Sequence, residues 1–236
     1  KLLAVIFTLL VLIVAGLLAV PGFIDWSKYK GRIEAAAREF TGHELDIGGE
    51  IRFAVLPAPS LYVEDLRLSP ADQQEALVTI GRTNVNISLS RLLGGELAVD
   101  SIRLVEPVLN LRVKADGSQN WMSEEIEALF ADREAEAGQG ANDANKADSG
   151  DGGFVRNIAL DSIRIERGVV SYEDQSEGTA YSIRDLDMTL RAETLNGPFK
   201  SEGSLVYNDR GIEFSSSTGR LDNFESIALQ LDLRLP

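Results

Sequence analysis

The segment Ile227-Ala228-Leu229-Gln230-Leu231-Asp232-Leu233-Arg234-Leu235 alternates aliphatic residues with Ala228, Gln230, Asp232 and Arg234. Successive side chains of a strand point to opposite faces, so this spacing predicts a strand with one apolar and one polar face. The same period of two runs through Val85-Asn86-Ile87-Ser88-Leu89, Leu109-Asn110-Leu111-Arg112-Val113 and Leu186-Asp187-Met188-Thr189-Leu190. Strands of this kind favour antiparallel sheets, because parallel strands are covered on both sides and read apolar throughout. The fold class is therefore mainly β, and Val85, Ile87, Leu89, Leu109, Leu111, Leu186, Met188, Leu190, Leu229 and Leu231 are the candidate lining of one apolar face.

Working outward, the chain repeats itself. Leu97-Ala98-Val99-Asp100-Ser101-Ile102-Arg103-Leu104 recurs as Ile158-Ala159-Leu160-Asp161-Ser162-Ile163-Arg164-Ile165, with a shorter echo in Leu61-Tyr62-Val63-Glu64-Asp65-Leu66-Arg67-Leu68. In each copy the apolar positions slip by one residue around the acidic position. One extra residue flips the facing, so a bulge or sharp bend is expected there. Glu106-Pro107 and Arg167-Gly168 then read as turns into Val108-Leu109 and Val169-Val170, making each copy a hairpin scaffold.

The amino-terminal end follows a different pattern. Leu2 to Val20 is 19 residues without a charge, interrupted only by Thr8 and Gly16. As a helix it would be about 28 Å long, close to the hydrocarbon thickness of a bilayer. Pro21 and Gly22 end it, and Phe23 and Trp26 fall where an interfacial aromatic belt sits. A cleaved signal peptide has a shorter apolar region and a small-residue cleavage site, whereas Pro21 obstructs cleavage after Ala19-Val20. Residues 1–22 are thus expected to be an uncleaved transmembrane anchor, whose orientation the flanking Lys1, Lys28, Lys30 and Arg32 do not settle. Position 1 is Lys rather than Met, so further residues are expected before it.

Residues 23–42 read as an amphipathic helix. Tyr29, Ile33, Ala36, Ala37 and Phe40 form one apolar stripe, Asp25 or Ser27 can cap the start, and Thr41-Gly42 ends it. A stripe rich in small Ala suits covering one end of a sheet better than lying on a membrane. Residues 43–130 form a first β segment with a short helix near 122–130, capped by Ser123. Residues 131–153 hold six Ala, five Gly, six acidic and two basic residues and no apolar period, the composition of a flexible acidic linker. Asp143, Asn145 and Asp148 lack the Gly and Glu that a calcium loop needs. Residues 154–236 form a second β segment, expected to continue further.

Charge and residue supply narrow the function. Lys plus Arg number 23 against 37 Asp plus Glu, a net charge of −14, which disfavours nucleic acid as a partner. There is no Cys and a single His, so thiol chemistry is excluded and His-based catalysis or a multi-His metal site has almost nothing to work with. His43 reads as a helix-terminus or surface residue, and acids such as Asp185 and Asp187 as solvating a polar face. No phosphate-binding glycine loop, nucleophile elbow or zinc-helix motif occurs. The expectation is a protein that is not an enzyme, with no catalytic residue, metal, cofactor or small-molecule substrate. Many one-sided strands and few helices leave an apolar face that a second sheet, barrel closure or apolar ligands must bury. An acyl chain gains about 0.8 kcal/mol per buried CH₂, so such a face suits lipid without any catalytic group.

The order of these pieces resembles a known family. An apolar amino terminus leads to Ile24-Asp25-Trp26-Ser27-Lys28-Tyr29, then Phe40-Thr41-Gly42-His43-Glu44-Leu45, then Leu56-Pro57-Ala58-Pro59-Ser60-Leu61. Arg91-Leu92-Leu93-Gly94-Gly95-Glu96-Leu97 follows, and then Glu106-Pro107-Val108-Leu109-Asn110-Leu111 leading to Asp116-Gly117-Ser118-Gln119-Asn120-Trp121. Over about residues 1–125, extended toward 190 by the later Leu-Asp-Ser-Ile-Arg unit, this is similar to the amino-terminal region of AsmA-like proteins of Gram-negative bacteria. The resemblance implies a single-pass inner-membrane protein with its body in the periplasm. It implies a long, curved, taco-like antiparallel sheet whose apolar inner face conducts phospholipid toward the outer membrane, akin to the chorein-type bridges of eukaryotes. The expected partners are membrane phospholipids and envelope proteins. The alternative is a non-enzymatic scaffold or regulator of outer-membrane protein assembly that uses strand edges to bind clients.

Overall fold

The structure is a computed structural model that describes residues 26–55, 58–71, 75–93, 98–128, 160–192, 197–219 and 229–235. The expected anchor at 1–22, the linker at 131–153 and the calcium-like residues within it lie outside the described residues. Among the described residues no helix is long and apolar enough to cross a membrane.

A 3-10 turn, Trp26–Tyr29, opens into helix α1, Lys30–Thr41, and a second helix α2, Leu89–Leu93, is a single short turn and a half. A further helical turn follows Ser123 at residues 124–128, and the strands are β1 His43–Ile47, β2 Ile51–Ala54, β3 Ser60–Pro70, β4 Val78–Ile87, β5 Val99–Val113, β6 Leu160–Asp174, β7 Thr179–Ala192, β8 Phe199–Tyr207, β9 Arg210–Thr218 and β10 Leu229–Arg234. These ten strands make one open, curved sheet in the order β1-β3-β4-β5-β6-β7-β8-β9-β10, with β2 also on β3 beside β1. At about 4.8 Å per strand it is roughly 40 Å from edge to edge.

Every neighbouring pair is antiparallel except one. Strands β5 and β6 run parallel, with Ser101 beside Ser162, Ile102 beside Ile163, Arg103 beside Arg164 and Leu104 beside Ile165. This corrects the expectation of a wholly antiparallel sheet, and it gives the internal repeat its meaning: the two copies lie side by side in register. Parallel neighbours need a long connection, and the 46 residues between Val113 and Leu160 supply it. Because the two copies have the same order of apolar and polar residues, a parallel in-register pairing matches every face to its like.

The expected turns at Glu106-Pro107 and Arg167-Gly168 do not occur, which corrects the hairpin reading. Both strands pass straight through, 15 residues each, with a left-handed residue inside: φ is 55° at Glu106 and 53° at Arg167. A single such residue shifts the side-chain phase by one without reversing the chain. Asp65 (φ 50°) in β3 and Asp185 (φ 49°) in β7 do the same. These positions are neighbours across the sheet. Asp65 lies between the pairs Glu64–Arg82 and Leu66–Ile80, opposite Gly81, and Gly81 in turn faces Glu106. The line continues at one end into the Gly48-Gly49 break between β1 and β2, where Gly48 N–H donates to Asp65 O at 2.8 Å. At the other end it reaches Gly203, where a Cβ would strike the backbone of Asp187. A crease thus crosses the sheet at right angles to its strands. The bulge expected at Asp100 is also present, since Asn86 and Ile87 pair with Ser101 and Val99 and leave Asp100 over.

Helix α1 lies along β1, the edge strand. Lys30 Nζ donates to Ile47 O at 3.0 Å and Ile47 N–H donates to Glu34 Oε1 at 3.3 Å, so helix side chains satisfy the open edge. Gly42 closes the helix in the left-handed conformation (φ 64°), its N–H bonded to Arg38 O. His43 follows and is 2% exposed, so of its two readings the helix-terminus one holds and the surface one does not. Its ring is held between Thr41 O (2.6 Å) and Asn120 O (3.2 Å), which ties the helix end to the loop after β5. Ser123 caps the next helical turn as expected, accepting from Ile126 N–H and donating to Thr41 O.

Candidate functional site

The site is a face rather than a pocket. Directly paired residues of neighbouring strands share a face, so the register gives its composition row by row. One row is Phe53, Leu61, Val85, Ile102, Ile163, Leu190, Ser201, Ser216 and Leu231, one residue from each of nine strands. The next toward the crease is Ile51, Val63, Thr83, Leu104, Ile165, Met188, Gly203, Phe214 and Leu233. Across the crease runs Leu45, Leu68, Val78, Leu109, Val170, Ile183 and Tyr207, and beyond it Leu111, Tyr172 and Tyr181.

The phase shift at the crease keeps these rows on one side. Ile51 and Val63 on one flank form a cluster with Ile47, and Leu45, Leu61 and Leu66 pack against it from both flanks. On β6, a Cβ at Gly168 would touch the Ile165 side chain and Leu186 Cβ, so the crease there is floored by small backbone rather than by a turn. Without the left-handed residues, Leu109 and Leu111 would face away from Val85 and Ile102.

Little covers this face. The buried hydrophobic side chains among the described residues are Ile47, Ile51, Val63, Ala76, Leu77, Ala98 and Val105, most of them near the α1 end or beneath loops. Ile102, Leu104, Leu109, Leu111, Ile163, Ile165, Leu186, Met188 and Leu190 are only half-buried, and Leu229, Leu231 and Leu233 are exposed. From Ile102 to Leu111 the apolar side of β5 alone is about 30 Å long. The face is polar at three points within its rows: Thr83, and the Ser201 and Ser216 hydroxyls, which bond each other at 2.7 Å. Its lower rim ends in the stacked rings of Tyr172 and Tyr181, 6.2 Å apart, with Tyr172 O–H donating to Asp174.

The opposite face is charged. Arg103 pairs with Glu166, Arg167 with Glu106, Arg191 with Glu202, and Arg52 with Glu64 while its guanidinium lies over the Tyr62 ring at 4.4 Å. A hollow of about 750 Å³ over β6–β10 is lined mostly from this side, by Glu166, Asp187, Glu202, Glu213 and Asp232 with Arg164 and Arg234, and also by Ile165, Met188 and Phe214 of the apolar row. A twisted sheet is saddle-shaped, so each face has a concave direction, and here the walled hollow uses the polar one. Acids outnumber arginines in it, which suits neither hydrocarbon nor an anionic headgroup.

Of the residues read from the sequence, Val85, Leu190 and Leu231 fall in one row, Met188 in the next, and Leu109 and Leu111 beyond the crease. Ile87 sits opposite Val99 at one end, Leu186 at the crease beside Gly168, and Leu229 opposite Thr218. Leu89 is the exception. Strand β4 ends at Ile87 and Leu89 begins α2, because Ser88 leaves the β4 ladder to bond Ala98 O, so Leu89 does not line the face. Among the residues missed were Ile102, Leu104, Ile163, Ile165, Phe214 and the whole β3 set. Their alternation is broken by the crease or by Ser and Gly, and the repeat itself was the signal that could have placed them.

The sequence model of the AsmA family matches residues 1–222, nearly the whole chain. This chain belongs to the AsmA family. No curated protein sequence matches it. Family membership and the open sheet agree with the resemblance drawn from the short motifs between Ile24 and Trp121.

Proposed function

We propose that this AsmA-family protein is held in the bacterial inner membrane by residues 1–22, with its body in the periplasm, and moves phospholipid along the apolar face of its sheet toward the outer membrane. The observation that carries the reading is the set of rows, apolar from β2 to β7 save at Thr83 and covered by no second layer among the described residues. Acyl chains lying on those rows would remove hydrocarbon from water at about 0.8 kcal/mol per CH₂, while headgroups stay at the solvent side. No bond is made or broken, so the path needs no catalytic group, metal or cofactor, and the protein is not an enzyme on this reading.

The test is Leu111→Asp in the full chain reconstituted in vesicles, with transfer of a fluorescent phospholipid as the readout. An acid in a hydrocarbon path costs about 3 kcal/mol, so transfer should fall by more than about tenfold. Ser182→Asp on the exposed polar side should leave it unchanged. Normal transfer by a folded Leu111→Asp protein would overturn the proposal. The scaffold reading draws on a separate observation: all six residues of β10, at the end of the sheet, are exposed. It expects an added client strand on β10 and no lipid on the rows.

A further inference from the structure

Helix α1 is mounted on the sheet by its polar side. Lys30, Glu34, Ala37 and Thr41, spaced one helical stripe apart, are the half-buried residues, and Lys30 and Glu34 hold the backbone of Ile47. Of the apolar stripe read from the sequence, Ala37 turns to the sheet, while Tyr29, Ile33, Ala36 and Phe40 are displaced by one residue, about 100° around the helix, and face outward. Tyr29 is 43% exposed, Ile33 41% and Phe40 60%, and the helix buries no residue. The expectation that this stripe covers the sheet is therefore corrected: the helix guards the edge of β1, and its apolar side is left over.

We infer that this stripe lies on the surface of the phospholipid bilayer, half sunk among the headgroups, and sets the sheet at a fixed height and angle on the membrane. Two features commit the stripe to lipid. Of the cations in residues 26–41, Lys30 is turned to Ile47 and Arg38 is paired with Glu44, which leaves Lys28 and Arg32 on the outward side, in a chain of net charge −14, to meet anionic headgroups. The uncharged run Leu2–Val20 ends five residues before Trp26, so the helix starts within about 18 Å of the end of that run. Lys28 and Arg32 flank the stripe on the side away from the sheet, where their stems can lie along the acyl boundary with the charges in the headgroup layer. The inference rests on the anchor reading of residues 1–22.

The chain has no cysteine, so single cysteines can be placed cleanly. Ile33→Cys, Phe40→Cys and, as a remote control, Asp116→Cys would each be made in the full chain, labelled with an environment-sensitive fluorophore and reconstituted in phosphatidylethanolamine–phosphatidylglycerol vesicles. The expected result is a blue shift at 33 and 40, quenched by nitroxide-bearing lipids and not by iodide, with the opposite pattern at 116. Labels at 33 and 40 that iodide quenches, in protein that floats with the vesicles, would overturn the inference and leave the anchor standing. Labels shielded from both quenchers would also overturn it, by pointing to a protein partner. Failure to float at all would remove the anchor and the inference together.

Discussion

His43 shows how much of this structure depends on a few polar contacts. A face left open cannot supply the burial that a closed core does, so the α1 end is held by His43 between two carbonyls, by Ser123 on Thr41 and by Lys30 on Ile47. Replacing a buried, doubly bonded side chain leaves polar atoms without partners and a cavity. His43→Ala should therefore lower stability by about 2–3 kcal/mol, read as a drop in the urea midpoint. An unchanged midpoint would mean that the ring only fills space. Asp174 does similar work at the β6–β7 turn. Its carboxylate accepts Ser176 Oγ–H, the Glu177 and Ser176 N–H groups and Tyr172 O–H, and the Ser176 hydroxyl above all holds its pKa below the ordinary 3.8. Burial, with Asp174 beside it, pushes Tyr172 up. A depressed acid contributes stability above its unfolded pKa and loses it as pH falls through the folded one. The Ser176 and Glu177 amides should accordingly hold their folded NMR shifts down to a pH below 3.8 and then move together. Movement at or above that pH would contradict the assignment.

At the scale of elements, the parallel pair β5–β6 is the least obvious feature and the easiest to test. Arg103 and Arg164 are register partners on the exposed polar face. Arg103→Cys with Arg164→Cys should cross-link under mild oxidation, seen as a shift in gel mobility and a linked peptide by mass spectrometry. Arg103→Cys with Ser171→Cys should not. The reverse outcome would mean that the repeats do not lie side by side. Much of this level was legible in the amino acids. Alternation placed strands around Val85, Leu109, Leu186 and Leu229, and the slip around Asp65 and Asp100 announced bends where they occur. Direction was not legible, because alternation fixes the face of a strand and says nothing of which neighbour it takes. Glu106-Pro107 and Arg167-Gly168 carry turn chemistry, yet a left-handed residue inside a continuous strand uses the same residue types. The repeat is the signal that fits the observed pairing, since two copies set parallel and in register place like residue beside like at position after position. Helix α1 misled for a related reason. Periodicity located its apolar stripe, but the sheet took hold of the stripe next to it.

For the whole molecule, the crease joins two sets of apolar rows that would otherwise face opposite ways. A strand kinked at Asp65, Glu106, Arg167 and Asp185 keeps its hydrocarbon on one side for its full length, and the sheet curves where those kinks align. The polar side collects the ion pairs and most of the wall of the acidic hollow, so the two faces offer distinct chemistries. The α1 edge is guarded, whereas β10 is exposed throughout. The central claim is that lipid occupies the apolar rows and not the polar side. Ile163 and Arg164 are adjacent on β6 in the middle of the sheet and point to opposite faces. The decisive measurement places a photocrosslinking side chain at one position or the other in the full, membrane-reconstituted chain and identifies adducts by mass spectrometry. Phospholipid acyl adducts at 163 and none at 164 are predicted. A folded protein with adducts at neither position, or equally at both, would contradict the account.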